Sequence, residues 1–252
     1  MLRYSNPGRF MDATAALLPW IAWSAGMLLA AGFYLALFVA PADYQQGEAA
    51  RIMFVHVPAA WMAMFVYAAM AGASLTGLVF KHPLADVAAK AAAPLGACFT
   101  ALALVTGMLW GKPMWGTYWV WDARLTSVLI LFFVYLGYIA LWSAIEEPAR
   151  AARAAAIFCL VGAANLPVIH FSVDWWNTLH QPASVARLGR PAMDAGFLWP
   201  LLVMAAGYMT SFAALTILRM RTEILERRAR ALLLARAHGA HPLAPAHGAH
   251  AP

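Results

Sequence analysis

The chain has 252 residues, of which 63% are hydrophobic and 11% are charged, and its formal net charge is +6. A soluble globular domain has about 45–50% apolar and about 25% charged residues, so this composition argues against a water-soluble enzyme and against a disordered chain. A pI of about 9.6 suits nucleic-acid binding, but the basic residues are sparse and scattered between apolar runs. Such charge is typical of membrane proteins, in which it sets the orientation.

Six apolar runs have the length of membrane-spanning helices, which need about 20 residues to cross roughly 30 Å of hydrocarbon. The first is too long for a signal peptide and lacks a small-residue cleavage site, so we expect it to be retained. The sequence predicts an all-α integral membrane protein with one six-span domain over residues 1–219. The runs cover residues 17–40, 58–80, 91–110, 125–145, 154–173 and 197–219.

Basic residues predict the orientation of these spans, because cytoplasmic loops carry an excess of Lys and Arg. Twelve of them fall on the side of the two termini and five on the other side. We therefore expect both termini to be cytoplasmic and three loops to face outward, at about 41–57, 111–124 and 174–196. The five outer basic residues are Arg51, Lys112, Arg124, Arg187 and Arg190.

The last segment, residues 220–252, is predicted to be a cytoplasmic basic helix followed by a low-complexity His/Pro/Ala tail. Glu223, Glu226, Arg227 and Arg230 have the spacing of intrahelical ion pairs. The tail contains a small HGAH repeat with His238, His241, His247 and His250. His-rich tracts can bind metal, but the composition favours a disordered end.

Tryptophan is concentrated toward the predicted outer side, where eight of the 11 Trp residues fall. The densest stretch is W-G-K-P-M-W-G-T-Y-W-V-W-D, residues 110–122, which is too short and interrupted to be a span. If it were helical, Trp115, Tyr118 and Trp119 would share a face. One interpretation is an interfacial anchor helix. The presence of Asp122 and Arg124 just after the aromatic residues favours the other, a flat apolar platform for a large planar ligand.

Three histidines fall on the same predicted side as this aromatic stretch. His56 lies at the junction before the second span, His170 near the outer end of the fifth, and His180 in the third outer loop. A lone histidine at an interface is usually structural, but here two outer loops each supply a histidine beside Trp. Because haem iron accepts one axial ligand on each face, the pattern suggests a haem clamp. The five outer basic residues are all candidates to pair the propionates.

Missing motifs exclude several other functions. The chain has no CxxCH for covalent haem attachment and no Walker A motif for ATP hydrolysis. It has no HExxH or GxSxG, and few ionisable residues lie deep in the spans, which disfavours a pump. Its two cysteines, Cys98 and Cys159, lie in apolar stretches and are expected to be buried.

The outer segments resemble a known family. W-G-T-Y-W-V-W-D-A-R-L-T-S, residues 115–127, resembles the tryptophan-rich WWD signature of haem-handling proteins of cytochrome c maturation. F-V-H-V-P-A-A-W, residues 54–61, and P-V-I-H-F-S-V-D-W-W-N-T-L-H-Q-P, residues 167–182, are similar to the histidine segments of the haem exporter protein C (CcmC) branch. The likeness covers nearly all of residues 17–219, whereas relatives with more spans, such as CcmF and CcsA/ResC, are longer. The His/Pro tail departs from the pattern.

This resemblance implies a protein of the bacterial inner membrane that holds non-covalent haem b at the periplasmic face. The axial ligands would be His56 and His180, and Trp115, Trp119, Trp121 and Asp122 would form the WWD platform; His170 is expected to support the structure. Haem would pass to the chaperone CcmE, with CcmD and the ABC transporter CcmA–CcmB as partners. The chain would then be a transfer protein and not an enzyme.

Two alternatives remain open from the sequence. One is a membrane-embedded permease subunit of an ABC transporter, which would need polar groups along several spans. The other is a redox protein of the cytochrome b type, which normally needs histidines inside facing spans at matched depth. The scarcity of polar residues in the spans and the loop positions of the histidines disfavour both.

Overall fold

The computed structural model describes residues 6–181, 184–185 and 189–239. The described residues form seven α-helices and contain no β-strand. The helices are α1 (Pro7–Tyr34), α2 (Met53–Phe80), α3 (Ala85–Trp115), α4 (Ala123–Ala144), α5 (Pro148–Gly162), α6 (Asn165–Trp175) and α7 (Ala195–Gly239).

Six helical segments of the described chain are long and apolar enough to cross a membrane. The first is α1 with the π-helical turn Leu35–Val39, and the second is α2 with the 3-10 turn Glu48–Ile52 before it. The fifth combines α5 and α6, while α3, α4 and α7 each supply one. The predicted six-span all-α fold is therefore confirmed.

Helix α1 begins earlier than the predicted residue 17. Asn6 accepts a hydrogen bond from the backbone N–H of Gly8 at 2.7 Å, and Pro7 occupies the first helical position, where it loses no hydrogen bond. The added turns are held by α7, since Arg221 donates to the Thr14 hydroxyl at 2.8 Å. Hydropathy marks only the apolar part of a helix and misses such polar turns.

Helix α7 runs without a break past residue 219, so the predicted Arg/Glu helix is a continuation of the sixth span. Within it, Arg227 donates to Glu223 at 2.8 Å, the expected i,i+4 pair. Residues 240–252 of the His/Pro/Ala tail lie outside the described residues.

The fifth span is broken between α5 and α6, which a single apolar run does not reveal. Pro167 lies in the first turn of α6, where its missing N–H is tolerated. Asn165 donates its side-chain N–H to the Ser127 carbonyl at 2.8 Å and so ties the new helix to α4. The break lets α6 take its own position relative to α4.

The bundle core combines small residues with buried tyrosines. Tyr67 donates to the Cys159 carbonyl at 3.0 Å, and Tyr135 donates to the Ala63 carbonyl at 2.8 Å, so both hydroxyl groups are satisfied. Cys159 is buried as expected, but Cys98 is exposed on α3, so that part of the prediction is wrong. An apolar stretch in a membrane protein includes a lipid-facing side, which explains the difference.

The two ends of the bundle differ in chemistry. At one end, α3 and α7 are joined by ion pairs, Lys90–Glu223 at 2.7 Å and Asp86–Arg227 at 2.8 Å, beside the indole of Trp142. The other end collects the aromatic and histidine residues of the three predicted outer loops.

Candidate functional site

Three connections meet at the aromatic end of the bundle. Trp110 of α3 donates its indole N–H to Gln46, in the connection between α1 and α2, at 2.9 Å. The segment between α3 and α4 reaches the α6–α7 connection, where the backbone N–H of Leu179 donates to Asp122 at 3.4 Å. The structure thus brings the predicted outer segments together at one site.

His56 lies in the first turns of α2 and is held against α3. Its Nδ1 is 3.0 Å from the Ala103 carbonyl and 3.2 Å from the Thr106 hydroxyl oxygen. A carbonyl only accepts, so the neutral ring carries its proton on Nδ1 and keeps a lone pair on Nε2. No described residue makes a hydrogen bond with Nε2. The imidazole is therefore oriented as a metal ligand is in proteins.

Two features of α3 shape the pocket of this ring. Trp110 contacts His56 edge to face, with 5.7 Å between ring centroids. A Cβ atom on Gly107 would come within 3.0 Å of His56 Cε1, so glycine is needed for this close approach. Ala103, Thr106, Gly107 and Trp110 lie on one helix face. Their spacing is visible in the sequence, but nothing there indicates that His56 packs on them.

His180 is positioned by the WWD segment. Its Nδ1 lies 3.4 Å from Oδ2 of Asp122, although without hydrogen-bond geometry, and its ring contacts Trp115 with centroids 5.1 Å apart. Burial lowers the pKa of His180, and the nearby Asp122 carboxylate opposes this shift. The ring is therefore neutral at neutral pH, which is the form that binds metal ions.

Asp122 is buried and has two roles. Its Oδ1 accepts from the backbone N–H of Leu125 at 2.7 Å and caps α4, while its Oδ2 faces Leu179 and His180. A carboxylate behind a metal-binding histidine typically fixes the ring and raises its basicity. Asp122 therefore connects the start of α4 to the segment that contains Leu179 and His180.

The tryptophans of the WWD segment do not form one flat surface. Helix α3 ends at Trp115 because Gly116 adopts φ +75°, so Trp115 and Trp119 do not share a helical face. The rings of Trp119 and Trp121 meet at 78° with centroids 5.4 Å apart, and Trp121 is 75% exposed. The Trp119 indole N–H is buried without a partner among the described residues. Trp119 and Trp121 therefore form an aromatic corner, in which one indole presents its face and the other its edge.

His170 is not brought to this site with the other two histidines. It is exposed on α6, and its ring contacts Phe171. Its backbone carbonyl accepts from Arg124 at 3.3 Å, and Arg124 also donates to the Ser172 hydroxyl at 3.0 Å. Arg124 therefore fastens α6 to α4, a structural role that the sequence did not reveal.

The five basic residues that are candidates to pair the haem propionates differ in their contacts. Arg51 pairs with Glu48, Arg124 binds α6, and Lys112 donates to the Gly116 carbonyl at 2.9 Å. Arg190 is exposed and forms no ion pair or hydrogen bond with described residues. Arg187 lies outside the described residues. No group of three or more His, Cys, Asp and Glu residues that could hold a bare metal ion occurs in the described chain.

The sequence is similar to known proteins over most of its length. The profile of the family described as Heme exporter protein C matches residues 1–235. A Heme exporter protein C of Bradyrhizobium diazoefficiens is 62% identical over 92% of this chain and 88% of its own length. That of Escherichia coli K12 is 48% identical over 87% and 88%. A putative cytochrome c biosynthesis ccmC-like mitochondrial protein of Marchantia polymorpha is 50% identical over 79% and 84%.

Proposed function

Because the chain belongs to the heme exporter protein C family, we propose that it binds haem b non-covalently between His56 and His180 and delivers it to the chaperone CcmE. Family membership and six apolar spans make it a multi-pass protein of the bacterial inner membrane that acts in haem transport for c-type cytochrome biogenesis.

The observation that carries the proposal is that two imidazoles at one end of the bundle each have an oxygen atom facing Nδ1. Nδ1 of His56 faces the Ala103 carbonyl, and Nδ1 of His180 faces the Asp122 carboxylate. In His56 this hydrogen bond leaves Nε2 for iron. In His180 the Asp122 carboxylate lies 3.4 Å from Nδ1, on the side where metal-bound histidines usually have a second-shell oxygen. Two histidines from separate segments can then bind the two faces of one haem.

The aromatic residues would supply the apolar surroundings that haem needs. Trp115 already contacts His180, so it would lie beside the bound macrocycle. Trp119 and Trp121 would contact it with a face and an edge, and burial of this apolar area provides affinity without a covalent bond. Arg190 is the best candidate for a propionate because its charge is exposed and unpaired among the described residues.

Delivery to CcmE requires the haem to remain transferable. Axial Fe–N bonds can exchange one histidine for another, so haem can leave His56 and His180 without cleavage of a covalent bond to this chain. We place the WWD end on the periplasmic face, since the opposite side carries 12 of the 17 Lys and Arg residues. Membership of a haem export system implies an ABC transporter partner. We propose that this transporter is CcmA–CcmB and that CcmD is a further partner.

An absorption spectrum of the full-length protein, purified from cells that make haem, tests the proposal. We expect a low-spin spectrum of a haem with two histidine ligands. His56→Ala together with His180→Ala should remove the low-spin signal. His82→Ala is the matched control, because His82 lies between α2 and α3 at the opposite end. An unchanged spectrum in the double variant would refute the ligand assignment.

The delivery step is tested separately with CcmE. Wild-type protein loaded with haem should transfer it to purified CcmE, whereas Trp121→Ala should reduce the transferred amount while the protein level in the membrane stays normal. Trp121 is suited to this test because its side chain is largely exposed and contributes little to the core. Full transfer by this variant would argue against a role of the aromatic corner.

A further inference from the structure

A surface cavity lies between α2 and α6, away from the His56 and His180 rings. It is a shallow, open depression with a volume of about 350 Å³. Phe65 and Ala68 line it from α2, and Pro167, His170 and Phe171 line it from α6. We refer to these five residues as the lateral groove. All five lie in apolar spans, so the groove opens on the surface of the bundle that faces lipid.

The imidazole of His170 is the one strongly polar group in this apolar lining. Neither of its ring nitrogens makes a hydrogen bond or an ion pair with a described residue, and its ring contact is with Phe171 at 4.7 Å. A polar ring without a partner in an apolar environment costs free energy. Ionisable residues in membrane spans usually mark a ligand path for this reason. The free nitrogens therefore point to a ligand with an atom that can accept a lone pair from an imidazole nitrogen.

The position of His170 is fixed by the same segment that forms the WWD site. Arg124, two residues after Asp122, donates to the His170 carbonyl at 3.3 Å and to the Ile169 carbonyl at 3.4 Å. The lateral groove and the site of His180 are thus both attached to the beginning of α4. A ligand moving from one to the other would stay against one rigid element.

Exposed aromatic rings connect the two places. Phe171 stacks on Trp175 with centroids 5.3 Å apart and 23° between the planes, and Trp175 contacts Trp176 at 5.7 Å. All three side chains are exposed, and Trp176 precedes His180 by four residues. Together they form a continuous aromatic stripe from the lateral groove to the loop that carries His180. Such a stripe suits a planar apolar ligand.

We propose that the lateral groove is a docking site for haem that arrives sideways from the lipid, with His170 as a single, transient iron ligand. Haem would then move along the aromatic stripe to His56 and His180. The step is a ligand exchange: the His170–iron bond breaks, bonds to the other two histidines form, and iron keeps its oxidation state. The inference rests on the proposed function only for the destination of the haem.

The first experiment looks for the transient site alone. The full-length His56→Ala, His180→Ala variant in lipid nanodiscs is titrated with haemin, which should give a weaker high-spin spectrum of haem with one histidine ligand. Adding His170→Ala should abolish it, whereas adding His82→Ala should not. If the double variant gave no haem signal, the lateral groove would not be a haem site. If the high-spin signal persisted after His170→Ala was added, His170 would not be the iron ligand. Either result would overturn the proposal. If the double variant kept the low-spin spectrum, the proposed function would fail instead.

The second experiment measures the route. Haem-loaded lipid vesicles are mixed with the protein in nanodiscs, and the rise of the low-spin signal is followed in time. Ala68→Trp fills the groove and should slow the rise about tenfold with the same final occupancy. Ala69→Trp is the matched control, because Ala69 is also exposed on α2 but does not line the groove. Equal rates in wild type, Ala68→Trp and Ala69→Trp would overturn the proposal. It would also be overturned if Ala68→Trp lost a partner subunit but took up haem at the wild-type rate.

Discussion

The carboxyl group of Asp122 combines two tasks that a single substitution can separate. Oδ1 accepts from Leu125 and caps α4, whereas Oδ2 faces the Leu179 N–H and Nδ1 of His180. In Asp122→Asn the amide oxygen can still cap the helix, but the amide nitrogen would face two donors. We expect normal folding and a loss of haem affinity of about 10–100-fold, the usual effect of removing a second-shell partner. Haem titration of the purified variant measures this.

A comparison with Asp122→Ala identifies the cause. The alanine variant should lose the same affinity and, in addition, about 1 kcal/mol of stability, because the α4 cap is gone. Protonation of His180 cannot explain the loss, since burial lowers its pKa and removal of the carboxylate would lower it further. Equal haem affinity of Asp122→Asn and wild type would contradict a role of Asp122 in the site.

Gly107 offers a test of the His56 pocket that leaves the ring itself intact. Gly107→Ala would place a Cβ atom 3.0 Å from His56 Cε1 and push the imidazole from its position. We expect roughly tenfold weaker haem binding in a titration, comparable to other second-shell changes. Gly72→Ala is the control, since nothing lies within 4 Å of its Cβ position and both residues are in helix interiors. Equal affinities of the two variants would argue against the close contact.

At the level of the elements, close helix packing depends on glycine beneath the buried tyrosines. A Cβ atom on Gly96 of α3 would lie 2.2 Å from the Tyr135 ring of α4, so alanine cannot fit without separating the helices. We expect Gly96→Ala to reduce stability by about 1–3 kcal/mol, as overpacking does. Thermal unfolding in detergent measures the effect. Gly26→Ala, with open space around its Cβ position, should be neutral or slightly stabilising.

The sequence predicts the spans better than their ends. All six apolar runs correspond to helical spans, because the membrane imposes length and hydropathy on each of them. The early start of α1 is marked locally by Asn6 and Pro7, which hydropathy does not register, and it is held by the contact of Arg221 with Thr14, more than 200 residues away. The break before Asn165 depends on a hydrogen bond to Ser127 of another helix. Tertiary contacts therefore decide what hydropathy leaves open.

The sequence nominates residues for the candidate site but does not show their geometry. Charge counting and span number placed His56 and His180 on one side, and the structure places both at one end of the bundle. The sequence could not show that Ala103 and Asp122 face their Nδ1 atoms, because those contacts join distant segments. It also suggested a flat platform, whereas Trp119 and Trp121 meet at 78° because the chain turns after Trp115.

On the scale of the whole molecule, α3 connects two ends with separate tasks. Its last turns hold His56 and Trp115, and its first turns hold Asp86 and Lys90, which pair with α7. The 13 residues from Lys90 to Ala103, whose carbonyl contacts His56, span about 20 Å at 1.5 Å per residue, roughly twice the screening length at physiological salt. The ion pairs should then stabilise the fold without influence on the histidine site.

Glu223→Gln tests this separation of the two ends. The amide can accept one hydrogen bond but removes the charge between Lys90 and Arg227, whose side chains are partly exposed. We expect a loss of about 1 kcal/mol, smaller at high salt, because water and ions screen such pairs. The haem spectrum should be unchanged, the opposite of Asp122→Asn, which should weaken haem binding and keep stability. Unfolding curves at low and high salt, recorded with the spectrum of each sample, measure both properties. A spectral change in Glu223→Gln would mean that α3 transmits a structural change from the ion pairs to His56, and the two ends would then work as one unit.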